Sequence, residues 1–392
     1  MRGPCPLRPV HGGRHENRIV FRAGLGMSRF IAYVHLAYGF DSRKWQAKWR
    51  AGKVLGLNEE FPYGYHHAAE FGATVVYSTD HPETAIGKLL RYGARGLFGF
   101  DFVHAWRNRR EIWQADVVWT HTESQSLAIL LLFALSRRAT RPKLIAQFVW
   151  LMDAWPRAGL LRRAIYKSLL RKADILTFHS PLNAQAAAAL FPDKRVEVLK
   201  FGINTVPPTL PSHTFEGRKT RLLSAGNDRH RDWSTLIEAV NGADDIELRL
   251  LTTAYKLPRP YPNITALRVD SNDALLAQFA WADIVVVPLK PNLHASGLTV
   301  VEEAATLGVP VVCTNVGGMD YYFGNDAVLY VDPYAPERML DAVRRLAGDA
   351  GLRQTMVAAA RRRLVEGGIS SRDYARRHVE LSLELLGLSA ET

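Results

Sequence analysis

The stretch HASGLTVVEEAATLGVPVV, residues 294–312, carries the residue types of an anion-binding helix start. A small, glycine-containing segment precedes a helical pattern, and the first backbone N–H groups of a helix have no internal partner and attract phosphate. Gly297 lets a ligand approach the backbone, while Ser296 and Thr299 can offer hydroxyl groups to an anion. Glu303 lies two helical turns after Ser296, where a carboxylate can accept hydrogen bonds from sugar or ribose hydroxyls. The alternative is an ordinary capped helix with a solvent-facing Glu303.

A second stretch with similar chemistry is SAGNDRHRDWSTLIEAV, residues 224–240. A strand pattern ends at Gly226, a polar loop with Asn227, Arg229 and Arg231 follows, and a helical pattern comes next. Two guanidinium groups beside a strand-to-helix turn suit a diphosphate, because planar forks bind phosphate oxygens in pairs. Taken alone, the pattern is more often that of a solvated loop.

The elements that position these stretches are short β-branched runs that alternate with amphipathic helical patterns, which is typical of parallel sheets with crossover helices. The first half of the chain has strand patterns at 30–37, 73–78, 115–121, 143–150, 174–180 and 195–201. The second half has them at 220–226, 246–252, 263–269, 283–289, 309–315 and 327–333, and helical patterns follow at 335–348, 351–366 and 371–387. Several strands are apolar at consecutive positions, as buried parallel strands are. The sequence therefore predicts an α/β protein with two doubly wound sheets.

The proline-rich segment TVPPTLPSHTFEG, residues 205–217, interrupts this alternation and predicts a linker between two domains. The predicted parts are a poorly ordered leader at 1–26, an N-terminal domain at 27–205, a C-terminal domain at 206–370, and a last helix at 371–392 that packs on the N-terminal domain. Met27, just before the first strand pattern, is an alternative start of the chain.

The chain of 392 residues has a formal net charge of +12, which favours anionic partners such as lipid, nucleotide diphosphate or nucleic acid. No zinc-finger spacing, aromatic RNA-binding signature or basic region with heptads is present, so we expect no nucleic-acid partner. The two cysteines, Cys5 and Cys313, lie far apart, which fits a reducing cytoplasm. The longest apolar run, 127–135, is about half of a membrane span and predicts a core helix.

Together, the two stretches resemble the nucleotide-sugar half of glycosyltransferase family 4, the retaining enzymes of the GT-B fold, in which two Rossmann-like domains face each other across a cleft. The family pattern E-A-x-x-x-G-x-P-V-V is matched by Glu303, Ala304, Gly308, Pro310, Val311 and Val312. Its glycine-arginine loop and following helix are matched by Gly226, Arg231 and residues 236–239. The strand in WADIVVVPL resembles the one before the donor loop, and FGIN at 201–204 resembles the end of the first domain.

The resemblance implies that the C-terminal domain binds a nucleotide-diphosphate sugar. Glu303 would bind the ribose, and Arg231 with the amides near Gly297 and Leu298 would bind the diphosphate, with Arg229 as a further contact. Cationic groups and a helix end would then stabilise the leaving group. No Asp-x-Asp triplet is present, so we expect no metal and no other cofactor.

The sequence departs from the family at three places. The family's first glutamate falls on Ala295 when counted from Glu303, or on His294 when counted from Glu302, so the donor-sugar contact is altered. Asn227 stands where the family usually has arginine. The histidine that follows the fourth strand is replaced within FVWLMD, residues 148–153.

Three polar residues of the N-terminal domain are candidates for the catalytic role of that missing histidine: His121, Glu123 and Asp153. His121 ends a strand pattern and matches a histidine common in the family. A hydrogen-bonded strand-end histidine is the equally good alternative.

Two segments of the N-terminal domain mix aromatic and basic residues. DSRKWQAKWRAGK, 41–53, carries Trp45 and Trp49 one turn apart among lysines and arginines, and residues 89–110 have a similar composition. Such segments dock on anionic bilayers. The alternative is core aromatics with a solvated basic face.

The predicted function is thus a cytoplasmic hexosyltransferase, peripheral on the inner face of the plasma membrane. It would transfer a sugar with retention to a saccharide, the lipid-linked acceptor of bacterial exopolysaccharide biosynthesis. Two alternatives remain: an enzyme like the nucleotide-sugar 2-epimerases, which share the fold, and a non-catalytic nucleotide- or glycan-binding protein.

Overall fold

The computed structural model describes residues 20–22, 28–209 and 218–389. Met27, most of the predicted leader and residues 210–217 of the predicted linker lie outside the described residues. Residues 205–209 have no helix or strand, as expected for a linker.

The first domain is built on a seven-stranded sheet in the order β1-β3-β2-β4-β5-β6-β7. Its strands are β1 (Val20–Phe21), β2 (Phe30–His35), β3 (Ala73–Tyr77), β4 (Val117–Thr120), β5 (Lys143–Phe148), β6 (Ile175–Phe178) and β7 (Arg195–Val198). All neighbouring strands are parallel except β1, which pairs antiparallel with β3.

The second domain contains a six-stranded, fully parallel sheet in the order β10-β9-β8-β11-β12-β13, the doubly wound arrangement of dinucleotide-binding domains. Its strands are β8 (Thr220–Ala225), β9 (Ile246–Leu251), β10 (Ile264–Leu267), β11 (Ile284–Val287), β12 (Val311–Thr314) and β13 (Leu329–Val331). Each strand predicted from the sequence is present, within a few residues of its predicted bounds.

Helices cover both faces of each sheet. Those of the first domain are α1 (Ser42–Arg50), α2 (Ala85–Phe98), α3 (Phe102–Arg107), α4 (Arg109–Ile112), α5 (Glu123–Leu135), α6 (Leu151–Ala154), α7 (Leu160–Leu170) and α8 (Pro181–Leu190). The second domain has α9 (Trp233–Val240), α10 (Asn272–Trp281), α11 (Leu298–Leu307), α12 (Pro336–Gly348) and α13 (Ala350–Glu366), and α14 (Ser371–Leu386) follows. Short 3₁₀ segments occupy Pro62–Phe71, Trp155–Arg157 and Met319–Tyr321. The apolar run 127–135 forms most of α5, a core helix as predicted.

The last helix returns to the first domain. Tyr374, Val379 and Leu383 of α14 are buried in the same apolar cluster as the first-domain strands. The indole N–H of Trp119 in β4 donates to the Ser382 hydroxyl at 2.9 Å. Helix α14 therefore joins the two domains, which confirms the predicted crossing.

The expectation of a poorly ordered leader is wrong for residues 20–22. Phe21 in β1 is buried, and its ring makes an edge-on contact with Phe61 at a centroid distance of 4.5 Å. A strand of two residues has no periodicity that a sequence can show. Every helix within the described residues is too short or too polar to span a bilayer.

Candidate functional site

The site lies where the loops after β8 and β11 meet. These strands are neighbours at the centre of the second sheet, and ligands of doubly wound sheets bind at such a switch point beyond the carboxyl ends of the strands. The N–H of Asp232 donates to the Pro288 carbonyl at 3.0 Å, which holds the two loops together. The two sequence stretches singled out above are therefore adjacent in space.

Arg231 passes between two glycines. A methyl group added to Gly226 would overlap the Nε side of the guanidinium, and one added to Gly297 would overlap Nη1. Gly226 has φ 146° and Gly297 has φ 86°. The residues that the sequence assigned to phosphate binding thus share one small volume, in which glycine is required for the close approach.

The Arg231 guanidinium is an unsatisfied buried cation. The residue is 5% exposed, and neither Nε nor Nη1 has a hydrogen-bond partner among the residues that the structure describes. Burial lowers its pKa to about 10, while Asp228 and Glu303 favour the charged form. Arg231 therefore stays cationic at neutral pH, and a buried charge without a bonded partner is costly. An anion bound here would remove that cost.

The two adjacent carboxylates of α11 are both buried, so the alternative of a solvent-facing Glu303 is wrong. Glu303 points toward the first domain, where its Oε1 accepts a hydrogen bond from the Leu57 N–H at 3.3 Å. Burial raises its pKa to about 7, although the bond from Leu57 and the charge of Arg231 oppose this. Glu302 is fully buried, neither of its oxygens has a partner among the described residues, and burial raises its pKa well above the usual value.

The start of α11 differs in detail from the prediction. The helix begins at Leu298 and Gly297 is its cap in the left-handed region, so Ser296 precedes the helix and does not share a helical face with Glu303. The Leu298 N–H already donates to the Ala295 carbonyl at 3.2 Å. The Ser296 hydroxyl is buried with no described partner, and Thr299 is exposed. Gly297 and Ser296 therefore remain the better-placed anion contacts.

Asn227 and Arg229, the two other predicted donor-site residues of the loop after β8, make contacts elsewhere. The Asn227 Oδ1 accepts hydrogen bonds from the N–H groups of Thr253, at 2.7 Å, and Ala254, at 3.2 Å. Asn227 therefore shapes the loop after β9. Arg229 is exposed and lines a groove that it shares with Trp150 of the first domain.

His294 joins the two domains through two carboxylates. Its Nδ1 lies 2.7 Å from Asp153 of the first domain, and its Nε2 lies 3.2 Å from Asp228 of the second. Burial disfavours the imidazolium, but the hydrogen bonds to Asp153 and Asp228 raise the pKa of His294. Sequence reasoning identified His294 only as a replacement for the missing glutamate, because no spacing in the chain links it to Asp153.

His121 follows β4 in an aromatic setting. Its ring stacks on Tyr63 at a centroid distance of 3.6 Å, and its Nδ1 lies 3.1 Å from the Tyr65 hydroxyl. Burial lowers its pKa, and the nearby His179 and His378 lower it further, so the ring is neutral at neutral pH.

The other two first-domain candidates, Glu123 and Asp153, have hydrogen-bond partners that account for their positions. The Glu123 Oε1 accepts hydrogen bonds from the N–H groups of Val149, at 3.0 Å, and Trp150, which fixes the turn before α6. Asp153 is bound to His294, and its Oδ1 also accepts the Leu293 N–H at 2.9 Å. Glu123 is thus a positioning residue, whereas Asp153 lies at the domain boundary.

Two clusters within the described part of the chain contain atoms of metal-ligand type within 4.8 Å of one another. One consists of Asp228, His230 and His294, and the other of Glu59, His66 and His67. Hydrogen bonds already link the members of the first cluster, since His230 Nδ1 lies 3.0 Å from Asp228. These side chains could hold an ion only by giving up such bonds.

The aromatic and basic segment at 41–53 is buried only in part. Trp45 is buried and its indole N–H donates to the Glu59 carbonyl, while the Trp49 indole N–H donates to the Asn58 carbonyl. Trp45 therefore belongs to the packing of α1, whereas Trp49 is 39% exposed beside the exposed Lys48 and Arg50, and the membrane contact of this segment stays a prediction. Helix α2, within the second segment, does expose apolar side chains: Leu89 is 72% and Leu97 is 76% exposed.

In a comparison with protein families, residues 217–363 match the model of the family "Glycosyl transferases group 1". A segment of 74 residues is 39% identical to the Bacillus subtilis protein TuaC, by its name a teichuronic acid biosynthesis glycosyltransferase. That segment covers 19% of this chain and 17% of the length of TuaC.

Solved structures resemble nearly the whole chain. Sucrose-phosphate synthase from Thermosynechococcus elongatus superposes with a TM-score of 0.64 at 16% identity, over 91% of this chain and 100% of that one. HepE from Anabaena in complex with UDP-glucose gives a TM-score of 0.61 at 11% identity, over 90% and 99%. A glycosyltransferase from Rickettsia africae gives 0.61 at 15% identity, over 92% and 99%. The chain therefore has the two-domain GT-B fold, and residues 217–363 of its second domain match the glycosyl transferases group 1 family.

Proposed function

We propose that this chain is a retaining glycosyltransferase that moves a sugar from a nucleotide-diphosphate donor to a saccharide acceptor carried by a lipid. The observation that carries the proposal is the buried, unpaired guanidinium of Arg231, held between Gly226 and Gly297 at the start of α11. A diphosphate supplies the negatively charged partner that this guanidinium lacks. The Glu303 carboxylate beside it accepts hydrogen bonds from the hydroxyls of the adjoining ribose. The family match of residues 217–363 supports the same donor class.

The chemistry follows from where negative charge develops. As the bond between the sugar and the diphosphate breaks, charge grows on the leaving phosphate, and preorganised positive groups stabilise that charge most effectively. Arg231 and the N-terminal end of α11 provide these groups without a metal ion. Their positions are fixed before the donor binds, because burial and the two glycines hold the guanidinium in place.

Of the three first-domain candidates, His121 is the best placed to accept the proton of the acceptor hydroxyl. Glu123 is bound to backbone N–H groups, and Asp153 is paired with His294. His121 is neutral at neutral pH and contacts only aromatic rings and the Tyr65 hydroxyl among the groups described above. We assign it the contact with the acceptor.

The surface of the first domain supports the proposed class of acceptor and the proposed cellular location of the protein. Helix α2 exposes Leu89 and Leu97 beside Lys88 and Arg95, a combination that favours an anionic bilayer. TuaC is named for the biosynthesis of teichuronic acid. We therefore place the protein on the inner face of the plasma membrane, in the synthesis of a surface polysaccharide.

The test is donor turnover with a panel of nucleotide sugars and a membrane lipid extract. We expect release of a nucleoside diphosphate and transfer of the sugar to the lipid fraction, with the anomeric configuration retained in the product by NMR. An epimerised free sugar would instead indicate the epimerase alternative, and binding without any product would indicate the non-catalytic alternative.

Glu303→Gln tests the ribose contact, and Glu337→Gln, at an exposed position of α12, is its matched control. Loss of a charge-assisted hydrogen bond raises the KM for the donor by about tenfold or more. The control keeps the wild-type value. Equal KM values for the wild-type protein and Glu303→Gln would reject the assigned role.

A further inference from the structure

A groove at the mouth of the cleft combines apolar walls with three arginines. It encloses about 310 Å³, and residues of α5, α6 and α7 form half of its lining. Leu127, Leu151 and Trp155 supply apolar surface, and Arg157 and Arg162 line it together with Arg229 from the second domain. The lining also includes Glu123, whose carboxylate accepts backbone N–H groups. We call this feature the arginine groove.

The three guanidinium groups of the arginine groove have no hydrogen bond or ion pair with any residue that the structure describes. This distinguishes them from buried Arg91 nearby, whose charge is matched by Glu83 and Asp101. Three unmatched cations around one apolar groove are complementary to a ligand that has both a polyanionic group and a hydrocarbon part.

Gly99 also lines the arginine groove. This residue caps α2 with φ 82°, and a methyl group added to it would lie 2.5 Å from the Tyr166 hydroxyl and 3.8 Å from the Arg162 guanidinium carbon. The Tyr166 hydroxyl therefore packs directly against the Gly99 backbone, in the part of the wall that lies beside Arg162.

The lining of the arginine groove is continuous with two different surroundings. Helices α2 and α7 expose large apolar side chains that are close in the chain to the lining residues Gly99 and Arg162: Leu97 is 76%, Leu160 is 83% and Leu161 is 76% exposed. Trp150, which also lines the groove, has its indole N–H 3.3 Å from Asp228 in the donor loop. A ligand that fills the groove would thus have its tail on the exposed apolar surface and its head at the cleft between the domains.

We propose that the arginine groove binds the diphosphate of an acceptor built on a long-chain alcohol. Arg157, Arg162 and Arg229 bind the phosphate oxygens, the hydrocarbon chain lies toward Leu160 and Leu161, and the saccharide extends past Trp150 to the donor. This inference rests on the proposed function and adds to it the chemical class of the acceptor and the residues that select it.

The test is binding of farnesyl diphosphate to the full chain. Binding is measured by the change in tryptophan fluorescence, since Trp150 and Trp155 line the groove. We expect saturable binding, weakened by about tenfold in each of Arg157→Gln and Arg162→Gln, because each removes a charge-assisted hydrogen bond. Farnesol and inorganic pyrophosphate, which each lack half of the ligand, should bind at least tenfold more weakly. The matched control is Arg362→Gln, an exposed arginine of α13 in the second domain, which should bind as the wild-type protein does.

Equal binding of farnesyl diphosphate by wild-type protein and the Arg157→Gln/Arg162→Gln double variant would overturn the proposal. Equal binding of pyrophosphate and farnesyl diphosphate, with competition by a nucleoside diphosphate, would also overturn it, since the ligand would then occupy the donor site. If the two variants lose only their affinity for anionic phospholipid vesicles, the groove is a contact with the bilayer and the proposal again fails.

Donor hydrolysis, measured as nucleoside diphosphate release without acceptor, separates this inference from the proposed function. Wild-type and variant proteins that hydrolyse the donor equally but differ in farnesyl diphosphate binding support both. If the protein binds farnesyl diphosphate through these arginines but never turns over a nucleotide sugar, the groove proposal is supported and the proposed glycosyltransferase function is contradicted.

Discussion

Gly226 and Gly297 lack side chains because the Arg231 guanidinium fills the space where those side chains would begin. The residue types around this cation were visible in the sequence, because glycine, arginine and a helix start are local features. The burial of Arg231 was not, since it depends on two loops that follow different strands. The same holds for Glu303, whose pKa of about 7 results from desolvation in the folded cleft.

Replacement of Gly297 by alanine tests whether this space matters for donor binding. Gly297→Ala and the matched control Gly242→Ala both place alanine at positive φ, 86° and 79°, and each should lose about 1–2 kcal/mol of stability in urea unfolding. A methyl group at Gly242 meets no atom within 4 Å, whereas one at Gly297 would lie 2.4 Å from Nη1 of Arg231 and 2.7 Å from Cγ1 of Val287, so Arg231 must move. Only Gly297→Ala should then raise the donor Kd, by about tenfold or more. The same Kd in both variants would show that the position of Arg231 is unimportant.

At the scale of elements, His294 joins the loop before α11 to α6, through its hydrogen bond with Asp153. His294 has a raised pKa because of Asp153 and Asp228, whose own pKa values are lowered by His294. The adjacent His230 has a lowered pKa through burial and the charge of His294, so it stays neutral. The folded protein thus holds a proton on His294 that the unfolded chain releases more easily.

The raised pKa of His294 predicts that its contribution to stability decreases as the pH rises. The contribution of His294 is fully present below about pH 6.5, the pKa of histidine in an unfolded chain, and is lost as the pH rises through the higher folded value. His294→Gln should therefore cost about 2 kcal/mol at pH 5.5 and much less at pH 8.5, measured by urea unfolding. A cost that is the same at both pH values would mean that the histidine is not charged in the folded protein.

The strand β1 shows what sequence patterns miss at this scale. The twelve other strands had apolar runs long enough to be recognised, but Val20–Phe21 is too short for any period. Phe21→Ala should lower the free energy of unfolding by about 3 kcal/mol, since the ring is buried against Phe61 and Tyr77. Val206→Ala, at a largely exposed position, is the control and should change it little. An unchanged stability of Phe21→Ala would exclude β1 from the folded core.

At the scale of the whole molecule, the two domains contact each other at several points that no sequence pattern indicates. The Asn272 N–H donates to the Gly52 carbonyl at 2.7 Å, and the Ser180 hydroxyl donates to the Gly317 carbonyl at 2.8 Å. The sequence predicted two α/β domains and the face of each that binds ligands. It could not predict how closely the loop 51–58 approaches the second domain, because that distance depends on contacts between residues far apart in the chain.

The contact between Gly56 and Glu303 gives a test of this closure. Gly56 has φ 95°, and a methyl group there would overlap Oε1 of Glu303, so Gly56→Ala should push the loop away and break the bond from Leu57 to Glu303. We expect a larger radius of gyration by small-angle scattering and a weaker response of that radius to a nucleotide-sugar donor. Gly52→Ala is the matched control in the same loop, because it shares the positive φ, 63°, but meets no atom within 4 Å. If both variants scatter like the wild-type protein with and without donor, the loop does not control closure and Glu303 binds its ligand independently of the first domain.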